Sequence, residues 1–156
     1  MKIYIGSDHA GFYLKEKIIT LLQGEHYDVK DLGAFSFDNH DDYPDHVFPV
    51  AQAVVGEKGS MGIVIGGSGQ GEAIAANRVK GIRAVVFNGQ YERNDGVEAP
   101  DEIALSRDHN DANILSLGAR FLPDDVALEA VRRWLTIPFS GDERHVRRIE
   151  KLDREN

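Results

Sequence analysis

The most informative stretch of this chain spans residues 61–77 and reads MGIVIGGSGQGEAIAAN. Its apolar beginning, residues 61–65, has the length and the β-branched content of a buried strand. Four glycines follow within residues 66–71, and Glu72 then opens a run of small and apolar residues typical of a helix. A buried strand that passes through a glycine-rich turn into a helix indicates the parallel sheet of an α/β protein.

The glycine-rich turn also predicts a binding site for an anion. Glycine allows successive backbone N–H groups to face a ligand, and the N-terminus of the following helix adds partial positive charge. Glu72 places a carboxylate in the first helical turn, beside this site. It can complement the helix dipole, or it can act as a base next to donors that stabilise an oxyanion. These residues alone leave both interpretations open.

Short apolar runs alternate with amphipathic stretches along the rest of the chain. The predicted strands are 2–6, 27–32, 61–65, 83–87 and 113–117, and the predicted helices are 12–22, 44–55, 72–79 and 123–135, with a short helix ending near residue 107. This alternation predicts a single-domain, Rossmann-like three-layer sandwich, in which a five-stranded parallel sheet carries helices on both faces. We assign residues 1–140 to this α/β domain and residues 141–156 to a basic C-terminal helical arm of the same domain.

The composition narrows the class of protein. A chain of 156 residues, with 42% hydrophobic and 28% charged residues, suits one globular domain. The net charge of -8 argues against nucleic-acid binding through bulk charge, and no apolar run approaches the roughly 18 residues of a membrane span. The absence of cysteine excludes disulfides, thiol nucleophiles and zinc–thiolate sites. Because the first five residues are too short for a signal peptide, we expect a cytoplasmic enzyme without a nucleic-acid or membrane partner.

Polar residues follow the predicted strands, where the carboxyl ends of a parallel sheet form a ligand-binding crevice. Asp8 and His9 follow the first strand, the glycine-rich turn follows the third, and Arg120 follows the fifth. His109 stands just before the fifth strand, and we expect it to face the same crevice. Individually these residues have plain structural explanations, since Asp8 can cap the next helix and His109 can be structural. Their expected convergence at one edge of the sheet is what favours a functional site.

Six separated segments together resemble one family of enzymes. They read SDHAG at 7–11, DDYP at 41–44, GGSGQGE at 66–72, IAAN at 74–77, HN at 109–110 and RHVRRI at 144–149. In this order they resemble the type B ribose-5-phosphate isomerases, within the larger family that includes galactose-6-phosphate isomerase subunits. Many members carry a cysteine base at the position of Gly66, whereas this chain resembles the branch in which a glutamate, here Glu72, is the base.

The resemblance implies a cofactor-free aldose–ketose isomerase that interconverts ribose 5-phosphate and ribulose 5-phosphate through an enediolate. Glu72 would remove and return the carbon-bound proton, and Ser68 would stabilise the enediolate together with the N–H groups of the turn. Asp8 would move the hydroxyl protons, and His109 would assist opening of the furanose ring. These four residues are the implied catalytic residues.

The resemblance also implies how a phosphorylated pentose would be bound. The implied substrate-binding residues are His9, Tyr43, Gly67, Gly69, Gly71, Asn110, Arg120, Arg144 and Arg148. The three arginines would hold the phosphate with help from His9, because forked guanidinium donors match phosphate oxygens. The resemblance further implies a homodimer, or a tetramer, in which Arg144 and Arg148 complete the active site of the neighbouring subunit.

Several alternatives remain open from the sequence. The loop 89–102 is longer than is usual for the resembled family, so the substrate could instead be a six-carbon sugar phosphate such as allose or galactose 6-phosphate. A non-catalytic sugar-phosphate-binding protein is a second alternative. The basic tail could equally be a solvated helix. The acidic and histidine-rich patch 38–46 matches no metal motif, and a polar loop that caps a helix explains it, so we predict no metal.

Overall fold

Five parallel strands form the centre of the protein, as the computed structural model of residues 1–154 shows. They are β1 Lys2–Ser7, β2 Asp28–Asp31, β3 Met61–Gly66, β4 Ala84–Phe87 and β5 Ile114–Gly118. Their order in the sheet is β2-β1-β3-β5-β4, and every neighbouring pair is parallel. The predicted α/β class and the five-stranded parallel sheet are thereby confirmed.

Helices cover both faces of this sheet, as the alternation predicted. They are α1 Phe12–Gly24, α2 Tyr43–Gly56, α3 Gln70–Ala76, α4 Glu102–Asp108, α5 Asp124–Thr136 and α6 Glu143–Arg154. Side chains of α1, α4 and α5 pack in one apolar cluster with the sheet, and those of α2 and α3 pack in a second cluster on the opposite face. Trp134 of α5 is fully buried in the first cluster. The burial of both sheet faces explains why β3 reads as an uninterrupted apolar run.

Several helix boundaries differ by one to three residues from the sequence prediction, most of all those of α3. Helix α3 begins at Gln70 and ends at Ala76, whereas residues 72–79 were predicted. The left-handed backbone of Gly69, with a φ of 74°, turns the chain into the helix two residues earlier than the apolar pattern indicates. Helix α5 begins at Asp124, so Pro123 is its N-cap rather than its first residue. Asp42 occupies the N-cap position of α2, but its side chain makes no capping hydrogen bond.

The strand register determines which segments of the chain meet at the carboxyl ends of the strands. Ser7 pairs with Ile65, and Gly66 pairs with Gly118, so β1, β3 and β5 end side by side at the carboxyl edge. The direction in which strands are added to the sheet reverses between β1 and β3, because β2 lies on the outer side of β1 while β5 and β4 lie beyond β3. A crevice at such a switch point is where open α/β sheets bind ligands.

The C-terminal helix α6 lies apart from the two apolar clusters. His145 is its only buried residue within the described part of the chain, and the remaining predicted arm residues, 155 and 156, lie outside that part. The long acidic loop between β4 and α4 is held at its base, where Gln90 contacts Pro100 and Glu102 through hydrogen bonds. Among residues 1–154 there is no helix with the length and apolar content that a membrane span requires.

Candidate active site

A cleft of about 490 Å³ opens at the carboxyl edge of the sheet, at the end of β3. Its lining residues are Tyr43, Gly67, Ser68, Gly71, Glu72, Arg120 and Phe121. Six of these seven residues were predicted catalytic or substrate-binding residues. Phe121 was not, because an exposed aromatic residue after a strand carries no signal of its own in the sequence.

Glu72 lies at the bottom of this cleft and is 4% exposed. Burial raises the pKa of its carboxyl group above the ordinary range, the hydrogen bond from its own backbone N–H lowers the pKa by less, and the negative charge of Asp8 raises it by a still smaller amount. A carboxylate with a raised pKa is a stronger proton acceptor than an exposed glutamate. Gly66 makes room for this group, since a Cβ atom at that position would overlap the Glu72 carboxylate.

Two large side chains lie close against glycines of the turn. A Cβ atom added to Gly67 would stand 3.3 Å from the guanidinium of Arg120, and one added to Gly71 would stand 2.9 Å from the ring of Tyr43. The turn therefore contacts a cation on one side and a phenol ring on the other. The absence of side chains at these positions is what lets both groups approach the mouth of the cleft.

Asp8 and His9 enter the same region from the end of β1. The carboxylate of Asp8 is largely buried, and its Oδ1 accepts hydrogen bonds from the backbone N–H groups of Ala10 at 2.9 Å and Gly11 at 3.3 Å. It therefore stabilises the turn that precedes α1, whose N-cap is Gly11, and also lies close enough to Glu72 to raise the pKa of that residue. The structural and functional interpretations of Asp8 are compatible.

Asp41 orients His9, a role that the sequence did not reveal. Its Oδ1 lies 2.7 Å from His9 Nδ1 and accepts the His9 backbone N–H at 3.1 Å, while its Oδ2 lies 3.2 Å from His46 Nε2. Burial alone would raise the pKa of Asp41, but the hydrogen bonds from His9 and the two imidazoles lower it. This ionised carboxylate fixes the His9 ring and leaves its Nε2 available to a ligand.

Three of these groups also lie as close together as metal ligands do. Ligand atoms of Asp8, His9 and Asp41 fall within 4.8 Å of one another. Both oxygens of Asp41 are engaged with histidine nitrogens, and one oxygen of Asp8 is engaged with backbone N–H groups. Hydrogen bonding accounts for the cluster without an ion, so we keep the prediction of no metal.

His109 and Asn110 lie at the opposite edge of the sheet, in the turn that precedes β5. Arg83, next to the start of β4, donates from Nε to the Asn110 carbonyl at 3.1 Å. Because β5 is five residues long, about 16 Å separate this turn from the carboxyl edge. Within a single chain, the expectation that His109 faces the Glu72 crevice is therefore wrong. The error arose because a residue before a parallel strand lies at the edge away from the strand's carboxyl end.

Helix α6 begins beside His109 rather than beside Glu72. The ring of His145 lies 4.1 Å from that of His109, centroid to centroid, and its Nδ1 is 3.0 Å from the His109 carbonyl oxygen. Arg144 and Arg148 flank His145 on this helix and are exposed. His145 anchors the predicted phosphate-binding helix, and only its position between two predicted site arginines pointed to it in the sequence.

The arrangement at the carboxyl edge suits proton transfer next to a carbonyl group. A buried carboxylate of raised pKa lies beside a second carboxylate, a glycine-rich turn at a helix N-terminus and an arginine. A carboxylate can take a proton from carbon, and N–H donors can stabilise the oxyanion that results.

Comparison with known proteins identifies close relatives. The sequence profile of the Ribose/Galactose Isomerase family matches residues 3–152. Ribose-5-phosphate isomerase B of Mycolicibacterium paratuberculosis is 41% identical over 152 residues, which cover 97% of this chain and 89% of the relative. The structure of ribose-5-phosphate isomerase B from Clostridium thermocellum superposes with a TM-score of 0.88 at 43% identity, covering 99% of this chain and 97% of the other. That of Mycoplasma genitalium, with bound ribulose-5-phosphate, gives 0.87 at 38% identity, covering 99% and 95%.

Proposed function

Because the chain belongs to the ribose/galactose isomerase family, we propose that it interconverts ribose 5-phosphate and ribulose 5-phosphate with Glu72 as the base. The observation that carries this proposal is the buried Glu72 carboxylate of raised pKa, which lies against the glycine-rich turn. A binding protein for an anionic sugar has no need of two carboxylates in its cleft. The relative that was crystallised with ribulose-5-phosphate supports a phosphorylated pentose as the substrate.

The reaction is a proton transfer between adjacent carbons of the open-chain sugar. Glu72 takes the proton from C2 of the aldose, the carbonyl oxygen becomes an enediolate oxyanion, and the same carboxyl group returns the proton to C1. N–H groups of the turn and the Ser68 hydroxyl stabilise the oxyanion, and Asp8 moves the proton between the two oxygens. The chemistry balances without an oxidant, a metal or a cofactor.

A second copy of the chain supplies the remaining residues in this proposal. His109, Arg144 and Arg148 lie on the amino-edge side of the molecule, in and next to the turn that holds His145. An isologous dimer can bring this side of one subunit to the carboxyl edge of the other, and two-fold symmetry then forms two equivalent sites. His109 would assist ring opening there, and both arginines would bind the phosphate with Arg120 and His9.

A cytoplasmic location follows from the proposed substrate. Phosphorylated pentoses carry charge that prevents their passage across a bilayer, so the enzyme must work in the compartment where phosphate is attached to sugars.

An isomerase assay on the purified protein tests the proposal. We expect turnover of ribose 5-phosphate in the presence of a chelator, and slower turnover of allose 6-phosphate and galactose 6-phosphate. Faster turnover of a hexose phosphate would replace the pentose with the six-carbon substrate. Binding without turnover of any aldose phosphate would indicate a sugar-phosphate-binding protein instead.

The Glu72→Gln variant tests the base. The amide keeps the size of the side chain but cannot accept the proton, so we expect kcat to fall by at least about 1,000-fold while the sugar phosphate still binds. Loss of hydrogen exchange between solvent and C2 of the substrate should accompany the fall. Near-normal kcat in this variant would assign the proton transfer to another group.

A further inference from the structure

The four carbonyl oxygens of residues 66–69 all accept hydrogen bonds that turn them toward β4 and β5. Gly66 and Gly67 accept from the backbone N–H groups of Ala119 at 2.8 Å and Arg120 at 3.1 Å. The next two oxygens have side-chain donors. Ser68 accepts from Asn88 Nδ2 at 2.9 Å, and Gly69 accepts from Ser116 Oγ at 2.6 Å in addition to the backbone N–H of Ala73 in α3 at 3.0 Å.

The hydrogen bonds to the Ser68 and Gly69 carbonyls orient the N–H groups of the residues that follow them, Gly69 and Gln70. In a trans peptide the C=O and the following N–H point in opposite directions. A Ser68 carbonyl held toward β4 therefore directs the N–H of Gly69 away from that strand, and a Gly69 carbonyl held toward β5 does the same for Gln70. Within residues 1–154 the Gly69 N–H has no hydrogen-bond partner and can meet a ligand at the rim of the cleft, whereas the Gln70 N–H donates to Ser68 Oγ at 3.3 Å and shares that rim with the hydroxyl.

Asn88 is fitted closely into its position. A Cβ atom at Gly118 would overlap its Oδ1, so glycine at that position is what admits the amide. The Oδ1 atom is buried and has no hydrogen-bond partner within residues 1–154. A buried acceptor without a partner costs stability, and the rest of the fold retains it together with the contact to Ser68.

Ser116 is the one polar side chain of β5, a strand that is otherwise apolar or glycine and fully buried. A hydroxyl at the centre of a parallel sheet needs a partner, and the backbone of the turn is the partner it has. A polar side chain within β5 and one directly after β4 thus both contact the same turn.

We infer that Asn88 and Ser116 are positioning residues that hold the N–H groups of the glycine-rich turn in line with the enediolate oxyanion. This inference rests on the proposed function. The oxyanion exists only after the proton has left carbon, so a misaligned donor weakens transition-state binding more than substrate binding. A purely structural role would instead lower stability without separating kcat from KM.

The test compares Asn88→Ala and Ser116→Ala with the control Ser60→Ala. Ser60 is also a buried serine whose hydroxyl donates to backbone carbonyls, of Val54 and Glu57, but it lies next to the start of β3, at the opposite edge of the sheet. Removing one oxyanion donor outright costs about 100- to 1,000-fold in kcat, so loosening one should cost about 10- to 100-fold. We expect this loss in both variants, with KM for ribose 5-phosphate changed less than about 2-fold and Ser60→Ala at the wild-type kcat.

An inhibitor provides a second measurement. A four-carbon phosphorylated hydroxamate copies the planar oxygen pair of the enediolate, and its affinity should fall by the same factor as kcat. Asn88→Asp keeps the size of the side chain but sets an acceptor against the Ser68 carbonyl, so it should lose as much as Asn88→Ala. If Asn88→Ala does not fold, Asn88→Asp and Ser116→Ala still test the inference.

Folded variants with wild-type kcat and wild-type hydroxamate affinity would overturn the inference, as would equal losses in Ser60→Ala. Absence of turnover in the wild-type protein would overturn the proposed function instead. The hydroxamate affinities of wild type and variants would then still decide whether Asn88 and Ser116 position the donors.

Discussion

Glu72 shows how neighbouring residues tune a single carboxyl group. It stands in the first turn of α3, where the helix dipole favours ionisation, yet burial and the charge of Asp8 raise its pKa. In its proposed role as the base, Glu72 must be ionised to accept a proton. In a plot of activity against pH, the rise on the acidic side follows the ionisation of the base. The raised pKa of Glu72 therefore places this acidic limb at a higher pH than an ordinary glutamate would.

Removing the charge of Asp8 should move that limb. In Asp8→Asn the repulsion that disfavours ionised Glu72 is gone, so the pKa of Glu72 falls. We expect a large loss of kcat, because a hydroxyl-proton carrier is lost, and a shift of the acidic limb of the remaining kcat/KM to lower pH. Rates measured across about pH 4–8 report both effects.

Asp45→Asn is the control for this change, since Asp45 is an exposed acid in the first turn of α2. Its removal should leave the limb in place. A limb that stays fixed in Asp8→Asn would show that the observed titration does not belong to Glu72.

Gly66 is predicted to be intolerant of even a methyl group. In Gly66→Ala the added Cβ would occupy the position of the Glu72 carboxylate and displace it from the cleft. We expect kcat to fall about 100-fold, because misplacing a reacting group by about 1 Å has a cost of this size, while KM changes little. Gly56→Ala, at an open position near the end of α2, should retain full activity. Wild-type kcat in Gly66→Ala would mean that Glu72 acts from another position.

At the scale of elements, one buried histidine contributes to the position of helix α6 against the rest of the chain. His145 lies under the His109 ring, and its Nε2 is buried with no hydrogen-bond partner in the described residues. The helix otherwise exposes its basic side chains and the apolar Val146 and Leu152, while Ile149 is partly buried. His145 therefore helps to set the starting position of Arg144 and Arg148, together with Ser140, whose N–H and hydroxyl both donate to the Asp108 carbonyl just before the helix.

We expect His145→Ala to raise KM for ribose 5-phosphate by about 10- to 100-fold. This is the effect of losing one charge-assisted phosphate contact worth about 1.5–3 kcal/mol. The control is Arg147→Ala on the same helix, which should change KM less than about 2-fold. Unchanged KM in a folded His145→Ala variant would show that α6 is positioned by other contacts.

At the scale of the whole molecule, the proposed active site needs two chains. Glu72 and the α6 arginines lie toward opposite edges of one sheet, so each site would take its base from one subunit and its phosphate ligands from the other.

Mixing two inactive variants tests this arrangement. Glu72→Gln and the double variant Arg144→Ala with Arg148→Ala should each be inactive alone. After random subunit exchange, half of the dimers are mixed, and each mixed dimer has one intact site of two, so about a quarter of wild-type activity should return. Each variant mixed with itself is the control. If labelled subunits are shown to exchange and no activity returns, the arginines act in the site of their own subunit.

The sequence by itself determined the class of fold and the centre of the site. The spacing of apolar residues in a strand or a helix is a local property of the sequence. The alternation of these spacings along the chain therefore predicted the parallel sheet and its covering helices. The turn 66–71 and Glu72 are contiguous, which is why the base and the glycine-rich turn could be recognised together. Residues at strand ends, such as Asp8 and Arg120, followed from the rule for parallel sheets.

Only the tertiary structure decided which distant residues meet. The order β2-β1-β3-β5-β4 inserts β5 between β3 and β4, and no local pattern encodes that choice, because it depends on how crossover helices pack. This order brings Ser116, Arg120 and Asn88 to the glycine-rich turn. The same geometry separates His109 from Glu72 within one chain, since the two ends of a parallel strand lie at opposite edges of its sheet.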